Sequence, residues 1–387
     1  MPADTEPVIV EALRTPIGRR GGALRDVRPD DLAAWLVGEV VERTGLPAAE
    51  LGDVIVGCAT PAGEQGWNIG RQVVLLSGLP VEVPGLTVNR MCASSDQAVR
   101  YATQAIAAGE YELAMAVGVE SMSRVPMTSD GVSFSPAMDG RYRLVAQGLS
   151  AEKVADKWGL SRAAMEELAL VSHQRAIDAW ACGAFDAEVV PAGGLPAQAG
   201  APPAVLRRDE GPRHDTSAEK LARLRPAFCT EGRVTAGTSS QMSDGAAVVL
   251  LASRRKAAEL GLRPRARLVT GVTAGSDPVL QLTGVIDATA KALATAGLEL
   301  DDIAHFEVNE AFAAVPMAWM AETGVPTDRV NPRGGALALG HPLGATGARL
   351  LVTMLHALEQ RDDRYGLQTM CIGHGMANAT IIERLRP

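Results

Sequence analysis

The feature that most constrains the fold is an alternation of strand-like and helix-like segments that fills residues 1–119, stops, and resumes after Arg265. In the first stretch Val8–Ala12 is a short apolar strand, Asp30–Thr44 an amphipathic helix opened by Asp, and Asp53–Gly57 a second strand. Gly85–Asn89 reads as a buried strand, Ser94–Ala108 carries apolar residues at helical spacing, and Leu113–Val117 is a further apolar strand. The second stretch runs strand Ala266–Val272, helix Leu282–Ala296, strand Ala304–Val308, helix Glu310–Glu322 and helix Thr346–Leu358. It closes with strands around Thr369 and Ala379–Glu383. Short β and α segments in alternation predict a layered α/β fold. Val88-Asn89-Arg90 before a turn and helix is echoed by Val330-Asn331-Pro332-Arg333 before a glycine-rich turn, so an internal duplication is expected.

Residues 120–242 behave differently. Two helical stretches, Ala151–Trp158 and Ser161–Cys182, precede a Pro/Gly/Ala-rich segment, Pro191–Pro203, and a basic stretch with Arg207, Arg208, Arg213, Lys220, Arg223 and Arg225. This reads as an insertion carried by the first domain. A chain of 387 residues is long enough for two or three domains.

Composition removes several function classes. A net charge of −8 argues against a general nucleic-acid binder. Five Cys, scattered and without a Cys-x-x-Cys pair, fit free thiols in a reducing compartment and give no metal-site spacing. The polar start Met1–Glu6 shows no signal peptide, and no apolar run approaches membrane-spanning length, so a cytoplasmic protein without membrane insertion is expected.

Four segments carry chemistry. Cys92 sits where a strand meets a helix, where the macrodipole and unpaired N–H groups favour thiolate. Taken alone, such a Cys is most often a small buried hydrophobe. The run from Gly334 to Arg349 holds five glycines around His341, which marks close backbone approach to a ligand or another segment. It has neither Walker A nor Gly-x-Gly-x-x-Gly spacing, and its imidazole is placed to take a proton from a thiol. Cys371-Ile372-Gly373-His374 ends an apolar strand, and Val308-Asn309-Glu310 ends another, with Asn309 readable as a helix N-cap.

Together and in order, these segments resemble the thiolase family along almost the whole chain. Val8-Ile9-Val10-Glu11-Ala12-Leu13-Arg14-Thr15-Pro16 resembles the family's opening. Asn89-Arg90-Met91-Cys92-Ala93-Ser94, Gly118-Val119-Glu120-Ser121-Met122-Ser123 and Thr235-Ala236-Gly237-Thr238-Ser239-Ser240 resemble its internal motifs. Asn309-Glu310-Ala311-Phe312-Ala313, Gly340-His341-Pro342-Leu343-Gly344 and Cys371-Ile372-Gly373 complete the match. The resemblance implies duplicated βαβαβαββ halves, each with a five-stranded mixed sheet, in a five-layered αβαβα body. Residues 1–119 with 243–264 would form one half and 265–387 the other. Residues 120–242 would be a loop domain over the coenzyme A site. It also implies a homodimer or homotetramer.

The implied activity is CoA-dependent cleavage of a 3-ketoacyl-CoA, with coenzyme A as co-substrate and no permanently bound cofactor. Cys92 would be the nucleophile, His341 its base, and Cys371 the acid and base that serves the enolate and the incoming CoA. The enolate oxygen would face His341 and a water held by Asn309; the acyl oxygen would face the N–H groups of Cys92 and Gly373. CoA would lie along Phe228, Ala236, Ser240, Ala311 and Phe312, with Arg213 near the nucleotide end. The chain departs from the family pattern at His374, where Gly is usual, and at Gln147, where Met is common. Both are candidates for setting acyl preference. Asp96 and Gln241 also differ. Two rival readings stay open: a ketoacyl-synthase-type condensing enzyme of the same fold, which would not need Cys371, and a CoA-binding scaffold without turnover.

Overall fold

The computed structural model describes residues 3–131, 133–195 and 203–386, so residues 196–202 of the Pro191–Pro203 segment lie outside the described residues. The first half supplies strands β1 (Pro7–Arg14), β2 (Asp53–Gly57), β3 (Gly85–Val88), β4 (Leu113–Ser121) and β5 (Ser243–Ser253). The second supplies β6 (Ala266–Gly275), β7 (Ile303–Val308), β8 (Tyr365–Ile372) and β9 (Met376–Arg384). They hydrogen-bond in the order β7-β8-β9-β6-β1-β5-β4-β2-β3. A single antiparallel contact, Ile9 to Ala266, joins the two halves at β1 and β6.

The duplication is visible in the pairing. In the first half β1 pairs antiparallel with β5, β5 antiparallel with β4, β4 parallel with β2, and β2 parallel with β3. The second half repeats this with β6, β9, β8 and β7 in the same senses. Its last member shrinks to one parallel bridge between Phe306 and Val330, so this sheet has four strands and a remnant rather than five. Val88 and Val330, the echo noticed in the sequence, occupy equivalent places: each lies parallel to the second strand of its half.

The principal helices are α1 (Pro29–Thr44), α2 (Ile69–Leu76), α3 (Ser94–Ala108), α4 (Gln147–Lys157), α5 (Arg162–Ala181), α6 (Gly284–Ala296), α7 (Ala314–Thr323) and α8 (Leu343–Arg361). Strand alternation divides their partners. Leu113, Met115 and Val117 of β4 face α1 and α2, whereas Ala114 and Ala116 face α3 and α8. A bulge between Ile9 and Glu11 shifts the parity of β1, so Ile9 and Ala12 both face the central helices. On the far side Val285 of α6 and Val315 and Trp319 of α7, with Leu282 just before α6, cover Phe306, Leu367 and Ile381. The result is five layers: α1/α2, sheet, α3/α8, sheet, α6/α7. Each fully buried Leu of the central layer, such as Leu351 and Leu355, contributes about 1.5–3 kcal/mol.

The central helices approach closely because their contacts are small. A Cβ on Gly347 of α8 would stand 2.5 Å from the backbone N of Asp96 in α3. The glycines of this run therefore serve contact with other chain segments. Three expectations are corrected. Gly85–Asn89 is not a buried strand but a half-exposed edge strand. The helix expected at Glu310 starts at Ala314, leaving Asn309 outside any cap, and α8 starts at Leu343 rather than Thr346. Among the described residues no helix is long and apolar enough to cross a membrane.

Candidate active site

Cys92 lies in a tight connection between β3 and α3. The Ser94 hydroxyl accepts from the Arg90 N–H at 2.9 Å and donates to the Met91 carbonyl at 2.6 Å. Met91, directly before the Cys, is held at φ +48°, a conformation that costs energy for a side-chain-bearing residue and clusters at functional sites. The backbone N–H groups of Cys92 and Gly373 favour charge on the Cys92 sulfur. Burial nevertheless dominates and pushes the thiol up to about 12, with the Glu120 carboxylate adding to the rise. The resting group is therefore a thiol, contrary to the thiolate expected from the helix N-terminus alone.

Glu120, at the end of β4, is fully buried and builds the floor of this region. Its carboxylate accepts from the N–H groups of Ala59 at 2.8 Å, Thr60 at 3.2 Å and Gly344 at 2.8 Å, and from Gln65 Nε2 at 2.6 Å. It thereby satisfies a first-turn N–H of α8, whose own N-cap, Pro342, offers no side chain for the purpose.

His341 enters the site from the turn before α8. Gly340 there has φ +104°, open only to glycine, which turns the chain into the pocket. The His341 N–H donates to the Gln241 carbonyl at 3.0 Å. Gln241 in turn donates from Nε2 to the carbonyls of Gly211, Leu337 and Ala338 at 3.0, 2.9 and 3.1 Å. A residue that stood out as a departure thus clamps the turn that carries His341.

The imidazole contacts define its tautomer. Thr346 Oγ1 lies 2.6 Å from Nδ1, and the same hydroxyl donates to the Pro342 carbonyl at 2.9 Å. With its one hydrogen committed, Thr346 accepts from Nδ1–H, and the lone pair is left on Nε2. Asn309 Nδ2 lies 3.4 Å from that nitrogen, consistent with a donor facing a lone pair. Burial first, and then the charge of Arg349, lower the imidazole to about 3. Both His341 and the Cys92 thiol are neutral at rest.

Cys371 ends β8, wholly buried, and burial together with the neighbouring Cys92 raises its thiol well above the ordinary value. Gly373 opens the turn to β9; a Cβ there would stand 2.7 Å from Met91 Sδ and 3.5 Å from Gln147 Nε2. His374 is left-handed at φ +63°, donates its N–H to Gln281 Oε1 at 3.0 Å, and sets its ring edge-to-face on Phe134 at 5.0 Å.

A second group forms one wall. The Ser240 N–H donates to the Ala311 carbonyl at 3.0 Å, and Phe228 meets Phe312 edge-to-face at 5.7 Å. Ala236 is exposed on the turn Ala236–Thr238, whose Thr238 carbonyl accepts from Ala313 N–H at 2.9 Å. Arg213 stands apart: exposed, it donates its N–H to His173 Nδ1 at 3.1 Å, and no contact ties it to the Cys92 turn among the described residues. Asp96, the other departure, accepts from Gln368 Nε2 and Thr380 Oγ1, each at 2.7 Å, and ties α3 to the second sheet. Among the described residues no group of three His, Cys, Asp or Glu could hold a metal ion.

Sequence reasoning gave no role to Glu120, Thr346 or Gln281. The signals were slight: a Glu at the end of an all-apolar strand, and a Thr five residues after the His on the first turn of its helix.

Comparison with known proteins agrees with this geometry. The chain matches the thiolase N-terminal domain over residues 7–255 and the thiolase C-terminal domain over residues 262–384. It is 46% identical to a steroid 3-ketoacyl-CoA thiolase of Mycobacterium tuberculosis, over 98% of this chain and 95% of that one. It is 43% identical to a 3-ketoacyl-CoA thiolase of Bacillus subtilis, over 98% and 99%. The crystal structure of the Bacillus anthracis acetyl-CoA acetyltransferase superposes with a TM-score of 0.91 at 36% identity, each chain fully covered. A chain with these two domains in this order belongs to the thiolase family.

Proposed function

We propose that the protein is an acyltransferase that cleaves a 3-ketoacyl-CoA with free CoA, giving acetyl-CoA and a shortened acyl-CoA through an acyl group on Cys92. His341 Nε2 takes the Cys92 proton as the sulfur attacks the ketone carbon, so the ion pair forms only with the C–S bond. The Cα–Cβ bond then breaks, and its electron pair passes to the thioester as an enolate, whose oxygen faces His341 and a water held by Asn309. Cys371 gives its proton to the enolate carbon, and acetyl-CoA leaves. The thiolate left on Cys371 deprotonates CoA, whose sulfur takes the acyl group and frees Cys92. The N–H groups of Cys92 and Gly373 meet the acyl oxygen as its negative charge develops, where such donors are worth most.

The observation that carries this reading is the packing of Gly373 against Met91, which brings the Cys371–Gly373 turn onto the Cys92 turn, with Cys92 close enough to raise the Cys371 thiol. The CoA handle would lie on Phe228, Ala236, Ser240, Ala311 and Phe312, with Arg213 and the basic stretch toward the phosphates. Residues 120–242 would act as the loop domain, and 1–119 with 243–264 and 265–387 as the two halves. No resident cofactor enters the scheme. A homodimer or tetramer is supported by the edge strand β3 and by Leu86, Val81, Leu75, Leu76 and the 98%-exposed Trp67 around it. Free thiols suit the reducing cytoplasm. The test is CoA-dependent cleavage across acetoacetyl, longer linear, branched and steroid side-chain 3-ketoacyl-CoAs. Loss of none of them, with malonyl-dependent condensation instead, would favour the ketoacyl-synthase reading; loss of none and no condensation would favour the scaffold.

A further inference from the structure

We infer that the acyl end of the site selects 3-ketoacyl-CoAs whose acyl fragment carries an uncharged oxygen, a hydroxyl or a carbonyl, and that Gln147 and His374 make the selection; this rests on the thiolytic reading above. Gly373 lies against Met91, the residue before Cys92, and its N–H favours charge on the Cys92 sulfur, so an acyl group on that sulfur begins beside Gly373. The side chains next to Gly373 are Met91 and Gln147, whose Nε2 lies 3.5 Å from the place of a Cβ. His374 follows in the chain, its ring against Phe134. The boundary is Met91 and Phe134, both apolar, with Gln147 and His374.

Both polar groups lack partners. Among the described residues neither the Gln147 amide nor the His374 imidazole makes a hydrogen bond within the protein, and both residues are only partly exposed. Polar groups drawn partly out of water without a partner are costly, and a ligand oxygen that pairs with them recovers that cost. Among the described residues no Lys or Arg side chain pairs with either group, so a carboxylate taken into this corner would meet no partner charge there.

The spacing of the two groups is also held. Gln281 is 1% exposed and left-handed at φ +49°. It accepts the His374 N–H at 3.0 Å while its Nε2 donates to the Val145 carbonyl at 2.7 Å and Ser150 Oγ at 3.1 Å. These last two flank Gln147, so one buried amide ties the start of α4 to the Gly373–His374 turn. A recognition pair held in place before the ligand arrives loses less entropy on binding.

The experiment compares kcat/KM for straight-chain 3-ketoacyl-CoAs of equal length that end in a methyl, a hydroxyl or a carboxylate. The native protein should favour the hydroxyl end over the methyl end by roughly tenfold, the discrimination that one net hydrogen bond supplies. Gln147→Met should lower that ratio about fivefold, by slowing the hydroxyl substrate and speeding the methyl one, and His374→Gly should lower it by a smaller factor. Equal cleavage of methyl and hydroxyl chains, a ratio unmoved by both variants, or a carboxylate chain preferred to both would overturn the inference while leaving thiolysis standing. Failure to cleave any of the three chains would instead overturn the thiolytic reading.

Discussion

Replacing Thr346 by Val keeps the side-chain volume and removes one oxygen 2.6 Å from His341 Nδ1. His341 is 3% exposed, so water does not replace the lost acceptor, and its Nδ1–H is left unpaired in the native tautomer. Leaving a buried donor unsatisfied costs about 1–3 kcal/mol. That cost falls on the tautomer whose Nε2 lone pair is needed and favours the other, whose Nε2 carries the hydrogen. Converted to a population, it withdraws the competent base roughly 5- to 150-fold. Steady-state thiolysis should show a fall in kcat of that order with KM for CoA little changed, because Thr346 touches none of the CoA-side residues. Thr346→Ser should restore most of the rate, since it returns the oxygen. A Val variant with kcat within about twofold of native would refute the tautomer assignment.

Other expectations follow from the same geometry. Because burial raises Cys92 to about 12 and lowers His341 to about 3, the thiolate fraction near neutrality is small. Iodoacetamide labelling of Cys92 should therefore accelerate about tenfold per pH unit through pH 9; a plateau set by a group near pH 6–7 would reveal a resting ion pair. Cys371→Ala should abolish thiolysis, because neither the enolate carbon nor CoA then has its proton partner, while Cys92 is still alkylated by iodoacetamide; normal thiolysis would remove Cys371 from the scheme. A Cβ on Gly148 would stand 2.1 Å from the Phe228 ring, so Gly148→Ala must displace that ring from the proposed CoA wall. Its KM for CoA should rise severalfold with kcat less affected, and an unchanged KM would take Phe228 out of the binding surface.

Legibility in the sequence followed the physical source of each feature. Ser94–Ala108 and Asp53–Gly57 were readable to the residue because periodicity and flanking turns mark their ends. Strand β5 was not read as a strand: all eleven of its residues are buried, so Ser-Asp-Gly-Ala-Ala-Val-Val-Leu-Leu-Ala-Ser lacks the alternation that separates strand from helix. Helix α2 went unnoticed for want of length. At the proposed site, family motifs single out Cys92, Asn309, His341 and Cys371, but the protonation of the two thiols and the imidazole depends on burial, which no local pattern reports. The N-terminal dipole argument for a thiolate was sound in sign and too small beside desolvation. Glu120, Gln241 and Gln281 act through hydrogen bonds to distant segments, and such pairings exist only once the two halves and residues 120–242 have come together, whereas Thr346 acts on His341 within one turn.

The central claim is that the acyl group passes through Cys92, and rapid quenching tests it most directly. The protein is mixed with a 3-ketoacyl-CoA in the absence of free CoA, and peptides are examined by mass spectrometry. The account predicts one acyl adduct, on the peptide containing Cys92, discharged when CoA is added and absent in Cys92→Ala. An adduct on Cys371, or undiminished thiolysis by Cys92→Ala, would contradict it.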